Sequence, residues 1–331
     1  MRTRSAALCI LTACAAATVA SSAAAQGAAS YPARPIRLIV PFVQGGAADF
    51  VARMIQLRWS KLAGQDVVVE NRPGESGNVG LEAAAKAAPD GYTLLLGNVG
   101  TMAINPSLYK SSLRTAPRRD FVPITQIVDL PSALVAHPSF PPNSAKALIA
   151  YVKPRPDKFS FASPGPGSEG RLEMERFMKS SGIRMVHMPY KGGVGPAISG
   201  LLAGETSVMF VPLASAASQV RGGKLKLLAV AAPRRVGAFP STPTLAEQGL
   251  PEMATGSWQG VFAPKGTPPA IVAKLHAILL QVMATPRVKM LLNGGGLEVV
   301  TSKSPQEFAA FLRAETERWA QAVKDSGATP E

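Results

Sequence analysis

The sequence predicts an α/β fold made of two similar units, and three observations carry that prediction. Short apolar strands alternate with amphipathic helices over residues 36–96, and the pattern restarts over 159–230. The strands are apolar throughout instead of alternating, as a parallel sheet covered on both faces requires. The composition, 47% apolar and 17% charged over 331 residues, is that of a core-forming chain; at about 150 residues per domain it has room for two.

The N-terminus reads as an export signal. Arg2 and Arg4 precede a small, apolar run at 6–20, and Ala23-Ala24-Ala25 offers a cleavage site before Gln26. Both cysteines, Cys9 and Cys14, fall inside residues 1–25. Cleavage would leave a cysteine-free chain suited to an oxidising compartment, the periplasm. Leu11-Thr12-Ala13-Cys14 also reads as a lipoprotein box, which would anchor the chain at Cys14. No apolar run approaches the roughly 20 residues of a membrane span.

In the first unit, residues 36–42 form a strand and Gly45-Gly46 a turn. A helix follows with Val51, Met54, Ile55, Arg58 and Leu62 along one side, stopped by Gly64. Residues 67–69 are a second strand, 81–88 an Ala-rich helix and 93–96 a third strand. In the second unit, 159–163, 185–188, 208–210 and 227–230 read as strands. Residues 168–181 and 197–203 read as helices closed by Gly182 and Gly204. The proline-bounded stretch 131–138 leaves the first unit and 250–264 returns to it, so two crossings imply a hinge and a cleft. Lobes of 30–130 with 255–331, and of 131–254, follow. Thr267-Pro268 starts a helix over 270–284 that Pro286 ends. Ser304-Pro305-Gln306-Glu307 is a capping box for a last helix with Phe308, Phe311, Leu312, Trp319 and Val323 on its apolar face.

Catalytic signals are poor. His137, His187 and His276 form no i, i+4 pair, so no metal-binding helix motif exists, and no nucleophile elbow or phosphate loop occurs. His187 lies in an apolar strand and reads as a core histidine. Gly165-Pro166-Gly167-Ser168-Glu169-Gly170 matches G-x-G-x-x-G between a strand and a helix. A dinucleotide site also needs an acid about 20 residues on, where this chain has Met188-Pro189-Tyr190-Lys191. No cofactor is expected. The loop has a simpler use: a glycine turn entering a helix leaves N–H groups and a dipole that favour an anion. Gly45-Gly46-Ala47-Ala48-Asp49 repeats the device in the first unit. Facing each other, the two turns would grip a small carboxylate. The net charge of +14 agrees with an anionic partner, but no aromatic–basic alternation marks a nucleic-acid binder.

The segments YPARPIRLIVPFVQGGAADFVAR, VVVENRPGESGNVG, PDGYTLLLGNVGTMAINPSLY, HMPYKGG and WQGVFAPKGTP resemble the Bug/TctC family of tripartite tricarboxylate transporter receptors. The resemblance implies a type II periplasmic-binding-protein fold, two α/β lobes joined by a two-segment hinge. It also implies a small organic carboxylate as ligand, no catalysis, and delivery to the membrane subunits of such a transporter, by a receptor expected to be a monomer. By position it places Phe42, Gly45, Gly46, Ala47 and Asp49 in the first-lobe pocket, with backbone N–H groups on a ligand carboxylate. Asp49 would order the helix start, because like charges repel. Asn98 and Thr101 would add polar contacts. Ser163, Gly165, Gly167 and Ser168 would hold the other end of the ligand, and Tyr190 would turn its hydroxyl into the cleft.

The family often has Asp-Asn after Met-Phe of a later strand, whereas here Met209-Phe210 precedes Val211-Pro212. Val211 on the cleft edge would favour a ligand with an apolar body and one carboxylate. The alternative class is a secreted α/β enzyme acting on a carboxylate compound, for which no nucleophile–base pair is visible.

Overall fold

The computed structural model describes residues 30–165, 168–253 and 256–329. The export signal with Cys14, Gly167 and the 254/255 boundary lie outside the described residues.

The first lobe starts with β1 (Ile36–Val40), α1 (Ala47–Ala63), β2 (Val67–Asn71), α2 (Asn78–Ala85) and β3 (Thr93–Asn98). Two short helices, α3 (Asn105–Leu108) and α4 (Pro117–Asp120), lead to the long β4 (Phe121–Ala136). The second lobe holds α5 (Ala145–Val152), β5 (Ser160–Ser163), α6 (Glu169–Ser181), β6 (Val186–Pro189), α7 (Val194–Leu202), β7 (Val208–Pro212), α8 (Leu213–Arg221) and β8 (Lys226–Ala231). The chain returns in β9 (Gly256–Pro264) and finishes with α9 (Pro269–Ala284), α10 (Pro286–Gly294), β10 (Glu298–Val299) and α11 (Pro305–Ser326).

Local chemistry sets these boundaries. Helix α1 buries Val51, Ala52, Ile55 and Trp59, a stripe at helical spacing. Gly64, at φ 70°, returns its N–H to Ser60 O, the left-handed stop that glycine makes without strain. Ser168 caps α6 by accepting from Arg171 N, and Ser304 caps α11 by accepting from Glu307 N at 3.1 Å. Helices α5, α8 and α10 have no counterpart in the sequence reading. Pro286 does end α9, and it also opens α10 from the first position, where its missing N–H is harmless.

The strands form one sheet in the order β2-β1-β3-β9-β4-β7-β5-β6, with β8 and β10 also paired to β4. β1 is parallel to β2 and β3, and β5 is parallel to β6 and β7. The middle is antiparallel, because β4 and β9 run against each other. The expected parallel sheet therefore describes the outer strands only.

Strand β4 makes the first crossing. Residues 121–131 pair with β9, and 132–136 pair with β7 and β8. The sequence revealed only its second half. Pro123 interrupts the first half, and β4 accommodates it through register shifts between Pro123 and Thr125 and between Gln126 and Val128. The second crossing runs from β8 to β9, where Gly256 faces Pro131. A Cβ on Gly256 would lie 2.9 Å from Leu130 O and 3.2 Å from Ala231 O, so glycine permits the hinge strands to close up.

In the first lobe α1 and α9 cover one face of the sheet, over Leu38, Val40 and Leu96, and α2 and α11 cover the other, over Ile39, Leu95 and Phe262. The C-terminal helix also reaches the second lobe. Leu172 of α6 joins the cluster around Trp258, Phe308 and Trp319, and Lys179 pairs with Asp325 at 2.6 Å.

Candidate functional site

The site is built where strands end and helices begin. After β1 the chain turns through Phe42 and the glycine pair into α1. Gly45 has φ 83° and donates its N–H to Asp49 Oδ2 at 2.9 Å, while Arg53 Nε donates to the same oxygen at 2.8 Å. Arg53 above all, with the Gly45 amide, holds the Asp49 carboxyl below its usual range. Arg53 also reaches Asn71 Oδ1, and Asn71 Nδ2 donates to Phe42 O at 3.0 Å. This network ties the turn to the end of β2. Asp49 is buried and serves the turn from within.

That arrangement changes which amides are available. The N–H of Gly45 is taken by Asp49, and that of Gly46 points to Val43 O at 3.3 Å. The N–H groups of Ala47, Ala48 and Asp49, in the first turn of α1, have no acceptor among the described residues. The open anion-binding mouth thus lies one step further along the chain than Gly45-Gly46.

Two more loops close around it. A Cβ on Gly77, which has φ 92°, would meet Thr101 Cγ2 at 2.6 Å and Phe42 Cζ at 3.2 Å, so the loops after β1, β2 and β3 pack together. Thr101 N donates to Asn98 Oδ1 at 2.9 Å and Asn98 N donates to Thr101 Oγ1 at 3.1 Å. Thr101 is fully buried. Its hydroxyl fixes the loop, leaving Asn98 Nδ2 without a partner among the described residues.

In the second lobe the expected hydroxyl contacts turn inward. Ser163 is fully buried; its Oγ lies 2.6 Å from His187 Nε2 and accepts from Gly165 N at 3.2 Å. Ser168 Oγ donates to Gly165 O at 2.7 Å and caps α6. Both serines shape the loop, and Gly165 sits in it at φ 148°. The last glycine of the motif has a packing role: a Cβ on Gly170 would lie 2.5 Å from Phe210 O. His187 is half-buried on the edge strand β6, stacked on Phe161, and its pKa is pushed down to about 4 by burial and by Arg171. It is neutral at pH 7 and supports Ser163.

Two expectations fail. The Tyr190 hydroxyl donates to Glu205 at 2.7 Å, and the ring lies against Gly200 of α7. Burial and Glu205 push its pKa up to about 12. The hydroxyl is thus committed to the Glu205 carboxylate. Val211 is fully buried against Ala133, so it does not make the cleft edge apolar and gives no reason for the ligand to carry an apolar body.

The sequence reading missed Ser76 and Gln259. Glu75 and Ser76 adopt φ 47° and 54°, a strained left-handed pair at the carboxyl end of β2; the turn-rich run Pro73-Gly74 was the visible signal. Gln259 stands opposite Asn98 in register. It is buried, and its Oε1 has no partner among the described residues.

The family model described as tripartite tricarboxylate transporter family receptor matches residues 51–328. Protein BugT of Bordetella pertussis is 37% identical over 310 residues, covering 93% of this chain and 94% of its own. The structure of periplasmic binding protein BugD is 35% identical with a TM-score of 0.73, covering 91% of this chain and 100% of its own. Rpa4515 of R. palustris, solved with adipate, is 34% identical with a TM-score of 0.77 and the same coverage. The two lobes and two crossings are those of a periplasmic binding protein.

Proposed function

Because the chain belongs to the tripartite tricarboxylate transporter receptor family, we propose that it is an extracytoplasmic solute receptor. It binds a small organic carboxylate between its lobes, leaves it chemically unchanged, and hands it to the membrane subunits of the transporter. Its relatives are solute-binding proteins and not enzymes. The observation that carries the reading is the open first turn of α1, with three adjacent N–H groups at the carboxyl end of β1. The adipate bound to Rpa4515 supports a carboxylate ligand.

Magnitudes define what the cleft must supply. Micromolar binding needs about 8 kcal/mol. A helix terminus contributes about 0.3–1 kcal/mol, rising to about 2 when partly buried. A charge-assisted hydrogen bond adds about 1.5–3 kcal/mol. The dipole alone is therefore insufficient, and the reading draws hydrogen-bond donors from both lobes: the α1 amides with Asn98 on one side, and the loop holding Gly165 and Gly167 on the other. Lobes of 30–130 with 255–331, and of 131–254, belong to this reading. The change of partner along β4 between Pro131 and Ser132 supports them. Export through residues 1–25, with lipid anchoring at Cys14 as the variant form, and a monomeric receptor belong to the same proposal.

Native mass spectrometry of protein purified from its own periplasm tests the proposal, followed by thermal-shift titration with adipate, citrate and benzoate. A co-purified acid, and a melting temperature raised by at least one of the three, are expected. Protein that arrives empty and responds to no carboxylate would overturn it, as would turnover of a carboxylate ester.

A further inference from the structure

A cavity of about 450 Å³ lies over the hinge strands, on the face that α11 covers. Alternation along β9 separates it from the cleft: Gln259 points to the α1 face beside Asn98, and Trp258 points the opposite way. Asp129, directly opposite Trp258 in register, shares the cavity face. Arg234 after β8, Glu298 on β10, and Phe311, Glu315 and Arg318 on α11 complete the charged and aromatic lining. Both lobes contribute walls, and none of the cleft loops does.

The lining is selective. Three carboxylates face two guanidinium groups. Arg234 lies 3.7 Å from Glu298 and Arg318 lies 2.6 Å from Glu315. Asp129 has no ion-pair partner among the described residues, and Gln126 Nε2 donates to it. Glu315 is only 6% exposed. Its Oε2 receives Trp258 Nε1 at 2.8 Å, Trp319 Nε1 at 3.2 Å and Arg318 Nη2, while its Oε1 has no partner among the described residues. Trp258 and Phe311 stand 5.4 Å apart at 74° and form an aromatic corner. A wall one negative charge in excess, beside ring faces that attract cations, repels carboxylates and phosphates. No group of three His, Cys, Asp or Glu among the described residues is placed to hold a metal ion, so an organic cation fits the lining better than a metal does. The volume lies within the range of small-molecule sites.

We propose that this cavity is a second ligand site, which takes a small organic molecule bearing one ammonium group. The ammonium sits between Asp129 and the free oxygen of Glu315, and the hydrocarbon body rests against Trp258 and Phe311. An occupant there touches both lobes at the hinge. Asp129 is held up at about 6 by burial and by Glu315 and Glu298, with Arg234 and Gln126 pulling the other way. Ammonium binding should therefore strengthen as pH rises through that value.

Titration calorimetry of the whole mature protein with benzylamine, benzyl alcohol and benzoate tests this. Benzylamine should bind with a dissociation constant below about 10 mM, the neutral and anionic analogues should not compete, and affinity should rise at least threefold from pH 5 to pH 7.5, an order-of-magnitude expectation from titrating one carboxylate. Asp129→Asn and Glu298→Gln should each weaken benzylamine, Asp129→Asn by about tenfold or more, with unchanged melting temperature for the half-exposed Glu298 variant. Ala47→Pro, which alters the cleft, should leave benzylamine binding as it was. Absent benzylamine binding, equal binding of benzyl alcohol, indifference to both carboxylate variants, or loss in Ala47→Pro would overturn the proposal. None of these results depends on the carboxylate reading of the cleft.

Discussion

Ala47→Pro isolates the amide on which carboxylate binding rests. Ala47 is the first helical residue of α1 and is exposed. Its N–H has no acceptor among the described residues. Gly46 before it is extended, at φ −75° and ψ 173°, the conformation that a following proline requires. Proline at the first helical position removes only an N–H that the helix never used. The fold should therefore be untouched, and its melting temperature unchanged or slightly raised. Binding should lose one charge-assisted hydrogen bond, about 1.5–3 kcal/mol. At 1.4 kcal/mol per factor of ten, affinity should fall by about 10- to 150-fold. Calorimetry with whichever of adipate, citrate and benzoate binds tightest reads this directly. A folded variant with unchanged affinity would show that the first turn of α1 does not hold the carboxylate.

Three further expectations follow from the packing. Tyr190→Phe should change carboxylate affinity by less than about twofold, or 0.4 kcal/mol, because the hydroxyl belongs to Glu205; a larger loss in calorimetry would return Tyr190 to the cleft. Gly256→Ala should lower stability by about 1–3 kcal/mol in urea unfolding, since its Cβ would press on Leu130 O and Ala231 O; an unchanged midpoint would show that the hinge strands can part at no cost. Glu173 and Glu169 are both raised, by burial first, and the Glu173 carboxylate then further disfavours ionisation of Glu169. The folded state thus binds more protons than the unfolded chain above the ordinary glutamate value of 4.5. Stability should be greatest near that pH and decline toward neutrality. Glu173→Gln should flatten the decline in melting temperature between pH 4.5 and 8, and a parallel curve for the variant would refute the assignment.

Strands β1 and β3 were legible because they are buried on both faces, which makes Ile36, Leu38 and Leu94 to Leu96 uniformly apolar. Helix ends were legible because Gly64, Gly182 and Ser304 act through local geometry. The first half of β4 was not, because Pro123 reads as a strand breaker until tertiary pairing supplies the register shift. Val186 and Met188 read as a buried strand, yet they are exposed on the sheet edge. At the site, the glycine turns gave the location. The destination of each polar group was a tertiary matter: Ser163 found His187, Tyr190 found Glu205, and Gln259 became a neighbour of Asn98 only through the pairing of β3 with β9.

The same tertiary pairing explains how the second-lobe loop is aimed. Helix α6 leaves that loop and carries two carboxyl groups on successive turns. Glu169 faces Ser257 on β9, and Glu173 accepts from Ser132 Oγ on β4 at 2.5 Å. Those serines sit on the two strands that cross between lobes, within one residue of the places where the pairing changes partners. A rotation of one lobe against the other must move Ser257 relative to Ser132, and with them the start of α6. The loop through Gly165 is thereby tied to the hinge strands through the hydrogen bond from Ser132 to the buried Glu173. Such bonds cost about 1–3 kcal/mol when broken and left unpaired, comparable to the worth of a single ligand contact. Two discrete lobe arrangements that each satisfy both carboxyl groups would be favoured over a continuum between them, which is the physical requirement for a receptor whose closed form a transporter can recognise.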